Sequence, residues 1–256
     1  MTRNILHSNK RSLIVFSGGF DSTSLLVATL AANEMDPSRV LALSFDYGQR
    51  HVAELDAAAA ICKSLKITHK VIEMEKWDIY NPRTCALMRG SDVLLTKGKR
   101  YDEIVGAGRD AMGAVNTSVP LRNVLFATVA AIKAYEYGCY NVSLAVHKGD
   151  NDAFSYPDCS YDTLAPLANA LANASMEHIQ LIAPFIALQK WQIITEMQKY
   201  GEDVFSLWRR EVAKSWSCYD GKELHCGECA TCLERQDAFR RADVVDPTQY
   251  ENTVAG

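Results

Sequence analysis

The stretch LIVFSGGFDSTSLL, residues 13 to 26, decides the fold. Four apolar residues of strand character (Leu13 to Phe16) run into Ser17-Gly18-Gly19-Phe20-Asp21-Ser22-Thr23-Ser24, and Leu25, Leu26 and Leu30 then recur at helical spacing. A glycine pair directly after a strand lets the backbone turn tightly and present successive N–H groups to an anion. A helix beginning near Asp21 points its positive end at the same place. Ser17, Ser22 and Thr23 add hydroxyl donors, so the segment reads as a phosphate cradle. It lacks the lysine of G-x-x-x-x-G-K-[ST] and is not a Walker loop. Asp21 would repel a bare phosphate. It reads either as the helix N-cap or as a ligand for a magnesium ion bridging phosphate oxygens.

Working outward, strand-like runs appear at Ser12–Phe16, Val40–Phe45, Thr68–Ile72, Val142–Val146 and, more weakly, Leu181–Ile182. Helical patterns fill the gaps at Ser22–Ala32, Val52–Leu65, Arg122–Tyr137, Asp162–Ala174 and Lys190–Tyr200. Strands alternating with helices predict an α/β fold, a parallel sheet with helices on both faces. Such sheets bind ligands beyond the C-terminal ends of their strands, near the point where strand order reverses. Polar motifs follow the first, second and fourth strands: Ser17–Asp21, Asp46–His51 and His147–Asp158. Residues 74–118 carry Pro82 and five glycines (Gly90, Gly98, Gly106, Gly108 and Gly113) without clear periodicity, the pattern of a lid or binding loop.

Size and composition narrow the function classes. At 256 residues the chain can form one large domain, or a core with a small appendage. We expect an α/β domain carrying the phosphate cradle over 1–205 and a C-terminal metal-binding segment over 206–256. A net charge of -4 argues against non-specific nucleic-acid binding, which relies on clustered Lys and Arg. No apolar run approaches the ~20 residues needed to span a bilayer. The stretch MTRNILHSNKRS lacks the apolar centre of a secretion signal, so a cytoplasmic location is expected.

In a reducing compartment the eight cysteines matter through spacing rather than number. Cys62, Cys85, Cys139 and Cys159 are scattered, and each reads as a small buried apolar residue. Cys218, Cys226, Cys229 and Cys232 form C-x7-C-x2-C-x2-C, which can close a tetrahedral zinc site with no position left open. The role expected for that zinc is structural. His225 is an available but unneeded alternative ligand.

Further motifs turn these features into a family resemblance. SGGFDS (17–22) matches the S-G-G-x-D-S signature of the PP-loop ATP pyrophosphatases, which are Rossmann-like adenine nucleotide alpha hydrolases. With it come FDYGQRH (45–51), VPLRN (119–123), YPDC (156–159), WSCYDG (216–221) and CGECATC (226–232). Taken in order, the set resembles the 7-cyano-7-deazaguanine synthase family of the queuosine pathway, a QueC-like group, from about Leu13 to about Ala242.

That resemblance implies an ATP-dependent carbon–nitrogen ligase acting on 7-carboxy-7-deazaguanine. The acid attacks the α-phosphate of ATP, pyrophosphate leaves, ammonia displaces AMP to give the amide, and a second ATP drives nitrile formation. It implies ATP with magnesium and one structural zinc as cofactors. Phe16, Ser17, Gly18, Gly19, Phe20, Asp21, Ser22, Thr23, Ser24, Leu25 and Leu26 become the ATP segment. Lys190, at the start of the helix after APFIALQ, matches the family's lysine near the α-phosphate, and with Asp21 it forms the catalytic pair. Asp46, Tyr47, Gln49, Arg50 and His51 border nucleotide and substrate. Arg122, Asn123 and Asp158 line the deazaguanine pocket, where an acid suits the guanidine-like edge of the base. Family members are often dimers, which implies a homodimer.

The chain departs from the family where substrate-side loops are expected. The family commonly has an aromatic residue and a glycine where this chain has Ser118 and Leu121, and R-P-E-F where it has Ser160-Tyr161-Asp162-Thr163. Adenylation of a carboxylate follows more directly from the motifs than the identity of the final acceptor. An alternative is a paralogue from an anti-phage defence system that passes the same activated acid to an amine of a protein partner.

Overall fold

Strand runs that are apolar on both faces need helices on both sides. In the computed structural model, which describes residues 11–50, 53–77, 79–80, 85–94, 97–99, 117–151, 156–220 and 223–251, five strands meet that need. They are β1 (Arg11–Val15), β2 (Val40–Asp46), β3 (Thr68–Glu73), β4 (Cys139–Ser143) and β5 (Gln180–Ile182), in the order β3-β2-β1-β4-β5 with every pair parallel. The seven longer helices are α1 (Phe20–Ala32), α2 (Ala53–Leu65), α3 (Arg122–Glu136), α4 (Tyr161–Ala174), α5 (Lys190–Gln198), α6 (Glu202–Val212) and α7 (Ala230–Arg241). Alternation along β1 divides the core. Ile14 packs with residues of α1, α2, α5, α6 and α7, and Leu13 with residues of α3 and α4 on the opposite face.

The chain winds from β1 through β2 to β3 on one side, then returns to place β4 against the other edge of β1. Strand order therefore reverses between β1 and β4, and the crevice above that pair is where such a sheet binds its ligand. The loop of residues 16–19 and the turn after β4 both empty into it.

Differences from the expected elements have local causes. The fourth strand lies at Cys139–Ser143 rather than Val142–Val146, because the fully buried Asn141 supplies a polar residue to its start, and Leu144 leaves the β1 ladder while its N–H still bonds Ile182 O at 2.9 Å. Helix α1 starts at Phe20 with Gly19 as N-cap, so Asp21 stands in the first turn and is not the cap. Helices α6 and α7 were not anticipated. The expected boundary at 205/206 falls inside α6, whose Trp208 is fully buried and donates Nε1–H to Ser24 Oγ at 2.9 Å. Of residues 74–118, positions 100–116 lie outside the described residues. The described parts hold a single 3-10 turn at Glu75–Trp77 and reach the cysteine segment, where Gly98 N–H donates to Glu228 O at 2.9 Å. Among the described residues no helix is long and apolar enough to cross a membrane.

Candidate active site

Gly18 shows why the opening motif needs glycine. Its φ is +82°, and a Cβ there would collide with the Glu54 carbonyl oxygen and stand 2.8 Å from Ala58 N. The first turns of α2 therefore rest directly on the loop. Ser17 Oγ accepts the Gly19 N–H at 3.2 Å and lies 3.0 Å from Ser22 Oγ, which donates to Gly19 O at 3.2 Å. A hydroxyl has one proton, so Ser17 is the donor to Ser22. These groups, with Phe16, Gly19, Phe20 and Asp21, line one end of a cavity of about 260 Å³. Thr23, Ser24, Leu25 and Leu26 are fully buried in the body of α1 and take no part in the lining. Ser24, for example, donates its hydroxyl to Phe20 O at 2.9 Å.

A charge cluster stands beside this cradle. Lys190 opens α5, where Gln192 Oε1 accepts the Gln189 N–H at 2.8 Å and fixes the helix start. Its side chain is only 10% exposed, and Nζ lies 2.6 Å from Glu234 Oε2 and 3.3 Å from Asp21 Oδ2. Lys190 is therefore not a solvated helix-start lysine. Burial alone would lower its pKa. The carboxylates of Asp21, Glu234 and Asp150 outweigh burial and hold the ammonium above its ordinary value. His147, 1% exposed, accepts the Gly149 N–H at Nδ1 (3.0 Å), which puts its neutral-form proton on Nε2. That Nε2 faces Asp150 Oδ1 at 3.5 Å, Asp21 Oδ1 at 3.7 Å and Glu234 Oε1 at 4.0 Å. Burial, reinforced by Asp21, raises the Asp150 pKa against the pull of His147 and Lys190.

The cysteine segment forms part of the same wall. The Sγ atoms of Cys218, Cys226, Cys229 and Cys232 lie within 4.8 Å of one another, all buried, an arrangement that could hold a metal ion. Backbone N–H groups already face the sulfurs: Asp220 and Cys226 toward Cys218 at 3.3 Å, and Glu228 and Cys229 toward Cys226 at 3.4 and 3.2 Å. Such donors favour thiolates, the form that binds metal. His225 stands apart, its ring 4.6 Å from that of Trp216 and its Nε2 accepting the Ser217 N–H at 3.2 Å. Trp216 N–H donates to Gly18 O at 2.9 Å, and Trp216, Ser217, Cys218, Tyr219, Thr231 and Glu234 line the cavity. Arg235, 1% exposed, donates to Ser215 Oγ and Val212 O, each at 2.9 Å, and lies 5.5 Å from the Phe20 ring centroid. The four scattered cysteines are buried, and burial raises their thiol pKa values, Cys139 to about 11 and Cys62 to about 12.

The other end of the cavity is aromatic. Phe45, Tyr47, Phe126 and Tyr156 line it, with Phe45 stacked on Phe126 at 4.1 Å. Arg122 enters here from the first residue of α3 and donates to Tyr47 OH at 3.4 Å. Burial alone would lower the Arg122 pKa. Tyr47, Cys159 and Asp158 outweigh it and keep the guanidinium charged. Glu54 joins this lining from the first turn of α2. Burial pushes its pKa up to about 7, with Arg122 pulling the other way.

Several residues expected at this end hold the walls instead. Asp158 Oδ2 accepts the Asn123 backbone N–H at 2.8 Å and side-chain N–H at 3.2 Å, capping α3. Asp46 Oδ1 accepts the Gly48 N–H at 3.2 Å and lies 3.9 Å from Arg89. Neither carboxylate lines the cavity. Gln49 and Arg50 line it, while Gln49 bonds Tyr47 N and Phe45 O, and the Arg50 guanidinium bonds Ser91 O. Tyr47, Arg122 and Asn123 also line it, and His51 lies outside the described residues. Glu54, His147, Asp150 and Glu234 were not singled out from the sequence, although each sits within or just beyond a quoted motif.

Comparison with known proteins identifies the family. The family model described as "Queuosine biosynthesis protein QueC" matches residues 11–243. A "7-cyano-7-deazaguanine synthase 1" from Colwellia psychrerythraea is 31% identical over 242 residues, covering 94% of this chain and 99% of the relative. A "7-cyano-7-deazaguanine synthase" from Allorhizobium ampelinum is 36% identical over 246 residues, covering 94% and 92%. One from Marinobacter nauticus is 35% identical over 243 residues, covering 93% and 96%.

Proposed function

The chain belongs to the QueC family of queuosine biosynthesis proteins and is an ATP-utilising enzyme of the ligase type; from that premise we propose that it converts 7-carboxy-7-deazaguanine, ammonia and two ATP to 7-cyano-7-deazaguanine, two AMP and two pyrophosphates. The observation that carries this is a single cavity with an anion cradle and a buried lysine at one end, and aromatic walls with an arginine at the other. ATP takes the first end, its β- and γ-phosphates on the Ser17–Ser22 turn and the N-terminus of α1. The flat acid takes the second, against Phe45, Tyr47 and Phe126, with Arg122 turning its carboxylate toward the nucleotide.

In the first step a carboxylate oxygen attacks the α-phosphorus and the bond to pyrophosphate breaks. Charge builds on the transferring phosphoryl group and on the leaving oxygen. Lys190 faces that charge as a buried ammonium, worth more there than in water. Asp21, whose buried Oδ1 has no hydrogen-bond partner, would hold a magnesium ion on the phosphate oxygens, where it supplies charge neutralisation for the departing pyrophosphate. The soft, closed donor set of Cys218, Cys226, Cys229 and Cys232 suits zinc in a structural role, steadying the wall that carries Glu234.

The test is product identification by mass spectrometry after incubation with the acid, ATP, Mg2+ and ammonium. Release of free nitrile with two AMP for each is the expected result. Amide that accumulates without nitrile, or acyl-adenylate that ammonium does not consume, would overturn the proposal.

A further inference from the structure

The proposed reaction moves protons on nitrogen twice, and the groups discussed above leave that task unassigned. Ammonia must lose a proton as its nitrogen joins the acyl carbon. The amide must later lose both of its N–H protons as the nitrile forms. A base for both steps has to stand where the nucleotide end of the cavity meets the substrate end.

Glu54 occupies that seam. Its backbone is packed on Gly18 of the cradle, while its carboxyl joins the cavity lining shared with Tyr47 and Arg122. The other carboxyls of this cavity are engaged: Asp21 and Glu234 with Lys190, and Asp150 with the His147 N–H. Asp46 and Asp158 are turned to backbone donors outside it. Among the described residues Glu54 has no ion pair within 4 Å.

Resting on the function proposed above, we infer that Glu54 is the general base of the two nitrogen steps. In the first, the C–N bond forms, the acyl C–O bond to AMP breaks, and a nitrogen proton passes to the Glu54 carboxylate. That proton returns to solvent before the second ATP reacts. In the second, the amide oxygen takes AMP from ATP with loss of pyrophosphate. One of the two amide N–H protons goes to solvent once the oxygen carries AMP, and the other passes to Glu54 as the C–O bond to AMP breaks and the C≡N bond completes.

The ionisation of Glu54 suits this work. A carboxyl lifted to about 7 is half ionised at neutral pH and can both take and release a proton there. Arg122 from α3 and Tyr47 from the loop after β2 act on it electrostatically, and it shares the cavity lining with Arg50, Asp21, Lys190, Asp150 and Glu234. The ionised form is the active one, so at fixed free ammonia the rate of the nitrogen steps should rise with pH and level off above about 7.

Glu54→Gln separates the steps. Acid-dependent pyrophosphate exchange into ATP reads adenylation alone and is expected to stay within about threefold of wild type. Amide plus nitrile formation is expected to fall about 10²–10⁴-fold and to lose its rise with pH. Glu54→Asp, which keeps the carboxyl on a shorter arm, should recover part of the product rate with the pH rise intact, and it serves as well if the Gln variant does not fold. A parallel loss of exchange and product would overturn the inference, as would a raised KM for the acid at unchanged kcat, which would make Glu54 a reader of the substrate edge. Failure of the wild type itself to exchange would instead sink the underlying reaction.

Discussion

The two ends of the cavity are built on different principles. At the end proposed for the nucleotide, side chains from separate elements face one another directly: Asp21 from α1, Lys190 from α5, Glu234 from α7 and His147 from the turn after β4 converge within 4 Å. At the substrate end, Asp46, Gln49 and Asp158 turn away to hold backbone, leaving Arg122, Tyr47 and Glu54 among aromatic walls. The first end is a closed electrostatic set in which each charge depends on the others. The second is a shaped slot whose polar residues are mostly scaffolding. A motif marks residues that matter, and only the fold tells which touch a ligand and which hold the loop that does.

The comparison is broken most sharply at Lys190. Lys190→Met keeps the aliphatic stem and removes the charge, and acid-dependent pyrophosphate exchange should fall about 10²–10³-fold. Exchange within a few-fold of wild type would mean that Asp21 and Glu234 answer to some other cation. A middle-sized effect tests whether the cysteine segment belongs to this end. Cys229→Ser should lose the bound metal, measured by elemental analysis, and lower stability by about 3 kcal/mol, or roughly 6–12 °C in Tm for a domain of this size. Because Cys229 is the N-cap of α7, which carries Glu234, the KM for ATP should rise as well. Loss of metal with unchanged KM would detach the segment from the site. The smallest effect is expected at the substrate end. Asp158→Asn removes a charge from the α3 N-terminus and should cost about 1 kcal/mol, read as a few degrees in Tm, with the KM for the acid little changed. A tenfold or larger rise in that KM would make Asp158 a substrate ligand rather than a cap.

Much of this was legible in the sequence because it rests on local physics. Apolar runs gave all five strands, and the Gly18-Gly19 pair between strand and helix located the cradle. Cysteine spacing anticipated the four-sulfur cluster, which the fold brings within 4.8 Å. What stayed hidden depends on distance along the chain. The burial of Lys190 comes from its pairing with Glu234, 44 residues away, which no local pattern announces. Asp158 cannot be recognised as a cap until the fold brings it to α3, 35 residues upstream. The buried Asn141 disguised the start of β4 for the opposite reason, a polar residue sitting where apolar ones are expected. Leu121 illustrates a further limit. It takes φ +55° at the N-cap of α3 with its side chain 67% exposed, a left-handed position costing a non-glycine residue roughly 1 kcal/mol. From the sequence it reads as a departure in a substrate-side loop, whereas in the fold the residue is largely exposed.

The measurement that reaches the centre of the account is exchange of labelled pyrophosphate into ATP by the wild-type protein, with and without 7-carboxy-7-deazaguanine and with ammonium left out. If ATP and the acid share one cavity and react through an acyl-adenylate, label enters ATP only when the acid is present, and Lys190→Met slows it about 10²–10³-fold. Label entering ATP without the acid, or none entering with both bound, would contradict the account.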